Sequence, residues 1–207
     1  MYRRLFVHLD AFVASIRARA GTPAEILEIG CGDGMVTERL ALAFPGSVLT
    51  GIDICSQPGR LYRGDPARVR FLRATSEALG ATDTARFQLV IVADVLHHVP
   101  QRDRARFLAS MTPLMADGAT LVLKEWVREW TPAYVLGYLS DRYITGDRIS
   151  HPDEAELRAL ARSAFGTDAI RAEFRVKPWH CNLALAISPD EAVLAADKIA
   201  QTRRNTP

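Results

Sequence analysis

The chain has 207 residues, which at roughly 150 residues per domain predicts one domain with a sizeable buried core. Hydrophobic residues make up 48% and charged residues 24%, a balance that excludes a disordered chain. A net charge of +2 is too even for a nucleic-acid-binding surface. No apolar run approaches the roughly 20 residues that span a bilayer.

The first residues and the cysteines bear on the compartment. His8 and Asp10 would interrupt the apolar core of a secretion signal. Cys31, Cys55 and Cys181 form no C-x-x-C pair, so neither a disulfide framework nor a zinc site is expected. These features predict a cytoplasmic protein that binds neither a membrane nor a nucleic acid.

Strand and helix patterns alternate along the chain after an N-terminal helix in the first 20 residues, whose apolar spacing covers 5–19. The last two strands are separated by little more than Pro178 and Trp179, too short a connection for a crossover, so this pair should be antiparallel. The alternation predicts a doubly wound α/β fold, a seven-stranded mixed sheet with helices on both faces. The predicted strands are 25–29, 47–53, 69–75, 87–94, 119–126, 169–176 and 182–188, and the further helices are 35–44, 101–115, 152–165 and 190–201.

A glycine-rich stretch, Gly-Cys-Gly-Asp-Gly at 30–34, lies between the first strand and the next helix. Glycines there let the backbone adopt positive φ and approach a ligand closely, beside the N–H groups of the helix N-terminus. Dinucleotides and S-adenosylmethionine both use this geometry. The dinucleotide fingerprint G-x-G-x-x-G needs a glycine at position 35, where this chain has Met35. Asp53 ends the second strand, where a carboxylate can accept hydrogen bonds from ribose hydroxyls.

With these features the chain resembles the class I S-adenosylmethionine-dependent methyltransferases. The matching motifs follow in family order over about half the chain: ILEIGCGDG at 26–34, TGIDI at 50–54, RATSEAL at 73–79, ADVLHHVP at 93–100 and LMADGATLVL at 114–123. The resemblance implies a single Rossmann-like domain over 1–207, with S-adenosylmethionine as cofactor and S-adenosylhomocysteine as product. His-His-Val-Pro is typical of the members that act on small molecules, and a monomer or homodimer is expected.

The resemblance also implies roles near the methionine end of the cofactor. Gly30, Gly32 and the backbone of Cys31 would lie along its methionine and ribose portions. Glu28 would sit near the methionine amine, and Ala93 would offer that amine its backbone carbonyl.

Further roles are implied at the nucleoside end. Asp53 would hold the ribose hydroxyls, and Ile54 would pack on the adenine. Thr75 and Ser76 stand where the family often has an Asp near the adenine amine, and they would substitute through hydroxyls or backbone.

His97 and His98 follow the fourth strand at the predicted cofactor edge. Histidine titrates near neutral pH, as a base acting on the acceptor should. If the segment is helical, adjacent side chains diverge by about 100°, so only one would face the acceptor; the alternative is that both are structural. Glu125 closes strand five at the same edge and could orient a histidine, bind an amine or accept a proton, unless it forms a surface ion pair. No metal is expected, because no nearby Cys or carboxylate completes a tetrahedral set.

Residues 127–151 are irregular and aromatic-rich, and they predict an insertion that builds the acceptor pocket. Beginning with Trp126 at the end of the preceding strand, four aromatic side chains recur every four residues, a spacing that equally fits a helix packed on the sheet. A fifth lies where a flexible loop could close over the substrate. The candidate pocket residues are Trp126, Trp130, Tyr134, Tyr138 and Tyr143.

Other functions find less support. A nicotinamide-dependent reductase would need a set such as Tyr-x-x-x-Lys, which no tyrosine here provides. Base-methylating enzymes carry Asp/Asn-Pro-Pro-aromatic after strand four or a Pro-Cys nucleophile, and this chain has neither. Ribose methylation of RNA stays open, as does a protein that binds S-adenosylmethionine without transferring methyl. O-, N- and C-methylation are not distinguished.

Overall fold

The structure, a computed structural model, describes residues 7–82, 86–129 and 150–195. The strands are β1 (Glu25–Ile29), β2 (Val48–Asp53), β3 (Val69–Arg73), β4 (Phe87–Ala93), β5 (Met115–Trp126), β6 (Ile170–Arg175) and β7 (Asn182–Ile187). The helices are α1 (Leu9–Ala20), α2 (Met35–Ala43), α3 (Ser76–Thr82), α4 (Arg104–Ala109) and α5 (Glu154–Phe165).

The seven strands form one sheet in the order β3-β2-β1-β4-β5-β7-β6. The first five strands pair in parallel, and β7 runs antiparallel to both β5 and β6. The predicted seven-stranded mixed sheet with a final antiparallel pair is therefore confirmed. Among the described helices, none combines the length and the apolarity that crossing a membrane requires.

The sheet separates two hydrophobic clusters, because successive side chains of a strand point to opposite faces. In β5, Leu121 and Leu123 belong to one cluster and Val122 belongs to the other. The face of Val122 is covered by α1 and α2, and the opposite face is covered by α3, α4 and α5. This arrangement confirms the prediction of helices on both faces.

The segment between β4 and β5 differs from its prediction. A helix over 101–115 was expected, but α4 ends at Ala109 and a 3-10 turn follows at Thr112–Leu114. Pro113 has no N–H to donate to a preceding turn and so cannot continue an α-helix. The chain then extends at once, and β5 begins at Met115, four residues before the predicted start at 119.

The remaining helices differ in their ends. Helix α1 begins at Leu9, after His8, whose side chain caps it, although its pattern was predicted to start at residue 5. Helix α5 begins two residues after the predicted start because Asp153 is its N-cap. Helix α3 occupies a stretch for which no element was predicted. Of the predicted C-terminal helix 190–201, residues 191–195 are helical and the rest lies outside the described residues.

Candidate active site

The parallel strands bring the motif residues to one edge of the sheet. The glycine loop follows β1, Asp53 ends β2, and the two adjacent histidines follow β4. The strand order reverses between β1 and β4, because the chain crosses from β3 over β2 and β1 to reach β4. Ligands of doubly wound sheets bind at such a switch point, outside the carboxyl ends of the strands.

The glycine loop adopts backbone conformations that favour glycine. The φ angles of Gly30, Gly32 and Gly34 are 76°, 52° and 88°, which confirms the expected positive φ. A side chain at position 30 would place its Cβ 2.2 Å from Cγ2 of Val95. The loop therefore packs directly against the turn that follows β4.

Asp53 joins the glycine loop to the end of β2. Its Oδ2 accepts a hydrogen bond from the N–H of Gly32 at 2.7 Å, and its Oδ1 accepts one from the N–H of Cys55 at 2.8 Å. Ile54 exposes 72% of its surface beside this carboxylate. The edge thus presents an anionic acceptor next to an apolar side chain, the two features that the predicted ribose and adenine contacts require.

Glu28 and Cys31 lie beneath this edge in the interior. Glu28 is 3% exposed, and its carboxylate accepts a hydrogen bond from the hydroxyl of Thr37. Burial, reinforced by the carboxylates of Glu28 and Asp53, raises the pKa of the Cys31 thiol far above its usual range. The thiol stays protonated, so Cys31 can serve a ligand through its backbone, as the resemblance implies.

The hydroxyls of Thr75 and Ser76 both contact groups of the protein. Ser76 is buried, and its Oγ lies 2.5 Å from Oγ of Ser110. Oγ1 of Thr75 accepts the N–H of Ala78 in the first turn of α3. Because a hydroxyl that accepts one hydrogen bond can also donate one, the adenine contact through Thr75 and Ser76, by hydroxyl or backbone, stays a prediction. Ala93 is the last residue of β4, beside the glycine loop.

A buried ion pair fixes the end of β4 against β5. Lys124 is 1% exposed, and its ammonium donates to both carboxylate oxygens of Asp94, at 2.6 and 2.8 Å. Asp94 has φ of 59°, which is uncommon for a residue other than glycine. A buried ammonium needs a charged partner, and this pair stabilises the sharp turn of the chain after β4.

Glu125 is fully buried and holds the same turn from the other face of β5. Its Oε1 accepts the N–H groups of Val95 and Leu96 at 2.9 and 2.5 Å, and its Oε2 lies 2.8 Å from Nδ1 of His97. A carboxylate only accepts, so Nδ1 of His97 carries a proton, and in the neutral ring Nε2 therefore carries the lone pair. Of the alternatives for Glu125, the geometry matches the orientation of a histidine, and its burial excludes a surface ion pair.

Three histidines meet at this turn. His97 is 7% exposed and His98 is exposed, yet their ring centroids lie 4.2 Å apart, so the two side chains do not diverge as expected. The ring of His151 lies 4.9 Å from that of His97. Burial, followed by the nearby His97, lowers the pKa of His151 to about 3, so its imidazole is neutral.

Carboxylates do lie beside His97, contrary to the reasoning that excluded a metal site. Asp94, His97 and Glu125 each offer a ligand atom within 4.8 Å of the others. However, the Lys124 ammonium already binds both oxygens of Asp94, and both oxygens of Glu125 face donors of the protein. The charges of this cluster are balanced by protein groups, and we assign it no metal.

The predicted acceptor pocket falls mostly on residues outside the described ranges. Those residues are Trp130, Tyr134, Tyr138 and Tyr143. Trp126 is 6% exposed, and its indole N–H donates to Sγ of Cys181. Its ring centroid lies 6.4 Å from that of His151, so Trp126 packs in the core beside the histidine cluster.

Two buried cations at this edge were not assigned roles from the sequence. Lys124 interrupts an apolar strand, and this interruption was a signal that it needs an anionic partner. Arg104 is fully buried, but its charged neighbours Arg102, Asp103 and Arg106 form a pattern typical of a solvent-exposed helix. No sequence signal distinguished it.

Comparison with known proteins agrees with this geometry. Residues 27–121 match a family model described as a methyltransferase domain. The ubiquinone biosynthesis O-methyltransferase of Azotobacter vinelandii is 30% identical over 124 residues, which cover 58% of this chain and 51% of the relative. Its counterpart from Aromatoleum aromaticum is 29% identical over 150 residues, which cover 67% of this chain and 62% of that relative. The chain thus spans between about half and two thirds of the length of these relatives.

Solved structures share the fold at low sequence identity. The mitomycin 7-O-methyltransferase superposes with a TM-score of 0.69 at 16% identity, over 88% of this chain and 53% of that one. The 1,6-didemethyltoxoflavin-N1-methyltransferase of Burkholderia thailandensis was solved with bound 1,6-didemethyltoxoflavin and S-adenosylhomocysteine. It superposes with a TM-score of 0.68 at 19% identity, over 91% of this chain and 82% of that one. These structures share the fold of this chain, and the match of residues 27–121 to a methyltransferase domain agrees with the resemblance that its motifs show.

The buried, neutral His151 makes stability depend on pH. Its pKa lies near 3 in the folded chain and near 6.5 in the unfolded chain, so the unfolded chain binds more protons between these values. Stability contributed by the neutral ring is complete above pH 6.5 and is lost as the pH falls toward 3. Between pH 7 and 5 the wild type should lose about 2 kcal/mol of unfolding free energy that the variant His151→Gln does not lose.

Urea unfolding of both proteins at pH 7 and pH 5 measures this difference. Because all other titratable groups, the remaining four histidines among them, are present in both proteins, the difference between the two losses reports on the ring of His151. Equal losses in the two proteins would contradict the assignment of a neutral His151.

Proposed function

We propose that this chain transfers a methyl group from S-adenosylmethionine to a hydroxyl oxygen of a small molecule. The observation that carries the proposal is the contact between Asp53 and the glycine loop at the switch point of the sheet. The preference for a hydroxyl acceptor rests on the His97–Glu125 pair. The acceptor side is proposed to include the segment 127–151.

The residues around Asp53 fit the nucleoside of the cofactor. A carboxylate offers about four acceptor positions, and the N–H groups of Gly32 and Cys55 occupy two of them. The other two suit a pair of adjacent ribose hydroxyls. The exposed Ile54 beside them suits an adenine face, because an apolar side chain gains free energy when a flat ring covers it.

The cofactor, when bound, supplies a sulfonium methyl that is electrophilic without activation by the protein. The chain's own contribution is position and proton transfer. His97 has its Nδ1–H directed at Glu125, and the tautomer thereby places the lone pair on Nε2. A hydroxyl proton transferred to Nε2 would give an imidazolium, which the buried carboxylate of Glu125 stabilises. His98, exposed beside His97, is the second candidate for this role.

Similar proteins support a small-molecule acceptor. The curated relatives are named for ubiquinone biosynthesis and for O-methylation, and the similar structures include enzymes named for mitomycin and toxoflavin methylation. A phenol is the simplest acceptor that needs the base which His97 and Glu125 provide, because its hydroxyl becomes a strong nucleophile only on losing its proton.

The cofactor assignment predicts the effect of Asp53→Asn. Asn keeps the shape and one acceptor oxygen but loses the charge and one acceptor for the ribose. Hydrogen bonds to charged groups contribute about 1.5–3 kcal/mol, so the dissociation constant for S-adenosylmethionine should rise at least tenfold. Calorimetric titration measures it, with Asp117→Asn as the matched control, because Asp117 is exposed near the start of β5, at the opposite edge of the sheet.

The same titration includes NADPH. The wild type should bind S-adenosylmethionine and not NADPH. The control Asp117→Asn should bind S-adenosylmethionine with the affinity of the wild type. Binding of NADPH in its place, or an unchanged affinity in Asp53→Asn, would refute the cofactor assignment.

The base assignment predicts the effect of Glu125→Gln on turnover. Gln can still accept the N–H groups of Val95 and Leu96, but it does not stabilise an imidazolium at His97. Release of S-adenosylhomocysteine with a panel of phenols should fall about 100-fold, while the affinity for S-adenosylmethionine stays within about twofold. Glu25→Gln, at the far end of β1, is the matched control.

Two outcomes would oppose this account. Binding of S-adenosylmethionine without methylation of any phenol, amine or carbon acceptor would favour a binding protein of the same fold. Methylation of RNA ribose in preference to small molecules would change the acceptor class.

A further inference from the structure

Arg104 is the largest fully buried side chain of the described residues, and the proposed reaction gives it no part. It begins α4, one turn after the histidines that follow β4. A guanidinium stays charged at any pH that a protein meets, and such a group is rarely buried without several partners. Its burial therefore indicates a specific task.

The guanidinium joins three separate parts of the chain. Nε donates to the carbonyl of Val99 at 3.2 Å, and one terminal nitrogen donates to the carbonyl of Ser150. The other terminal nitrogen forms an ion pair with Glu156 of α5 at 2.8 Å. The planar fork of an arginine can serve three acceptors at once, which the single ammonium of a lysine cannot do in the same geometry.

Two of these contacts lie next to the histidine cluster. Val99 follows His98 directly, and Ser150 precedes His151 directly. The N–H of Ser150 donates to the carbonyl of His97 at 3.1 Å, so the two backbone stretches also bond to each other. Arg104 thus ties the turn that carries His97 to the stretch that carries His151.

We propose that Arg104 is a positioning residue that fixes the position of the His97 ring relative to the His151 ring. It does not touch the cofactor or the acceptor; it fixes the backbone on either side of the imidazoles that face the acceptor. The importance of this ring arrangement for the reaction rests on the proposed function, whereas the arrangement itself is a property of the protein without any ligand.

The test uses the chain's five histidines as internal reporters. The protein is labelled with ¹³C,¹⁵N-histidine, and the ring signals are recorded at one pH without ligand. In Arg104→Lys the ring signals of His97, His98 and His151 should shift, and those of His8 and His180, outside the cluster, should stay in place. Arg106→Lys is the matched control, because Arg106 is exposed two residues later on the same helix.

A second variant covers the case in which Arg104→Lys does not fold. Glu156→Gln keeps an acceptor oxygen at a partly exposed position and removes only the charge that faces Arg104. It should shift the same three signals by a smaller amount. Unmoved cluster signals in folded Arg104→Lys, or in Glu156→Gln if the first variant is unfolded, would overturn the proposal.

A titration with S-adenosylmethionine separates this proposal from the proposed function. Arg104→Lys should bind the cofactor within about twofold of the wild type, because Arg104 contacts neither the glycine loop nor Asp53. A tenfold loss of affinity would show a role beyond the histidines and would overturn the assignment. Failure of the wild type to bind the cofactor would refute the proposed function and leave the histidine signals as an independent result.

Discussion

The buried carboxylate of Glu125 is the interaction on which the rest of the site depends. It accepts the N–H groups of Val95 and Leu96 and faces Nδ1 of His97, so one side chain fixes both the backbone of the turn after β4 and the tautomer of a histidine. Val95 in turn packs against Gly30, where any side chain would collide with it. The glycine loop and the histidine cluster therefore both contact the turn that Glu125 holds.

Charge balance in the interior follows from the alternation of β5. Lys124 and Glu125 are adjacent and point to opposite faces, and each binds a different part of the same turn. The buried Arg104 forms an ion pair with the partly exposed Glu156 on the side of α4 and α5. Each of these charges has its partner within the protein, as burial requires, because an unpaired charge in the interior would cost several kcal/mol. The result is a preorganised edge in which a reacting group meets fixed donors and acceptors rather than water.

The sequence was sufficient for the sheet and for the positions of the glycine loop and Asp53 at its edge, because these depend on local signals. Glycine spacing, strand-end carboxylates and continuous apolar runs each report on a few neighbouring residues. The acceptor side depends on contacts between distant residues, such as those of Arg104 with Ser150 and of His97 with His151, which no local pattern encodes. The helix predicted over 101–115 was wrong for a local reason, because the prediction did not take account of Pro113, which cannot continue an α-helix. The hydroxyl of Thr75 accepts a hydrogen bond in the first turn of α3, and that of Ser76 contacts Ser110, two contacts that were not predicted from the sequence.

The central claim is that the cofactor lies across the carboxyl ends of β1 and β2 with its reactive end toward His97. A crystal structure of the protein with S-adenosylhomocysteine tests this most directly. The account predicts ribose hydroxyls within hydrogen-bond distance of the Asp53 carboxylate, adenine against Ile54, and the sulfur on the side of the turn after β4. A ligand bound with its ribose away from Asp53, or at another edge of the sheet, would contradict the account.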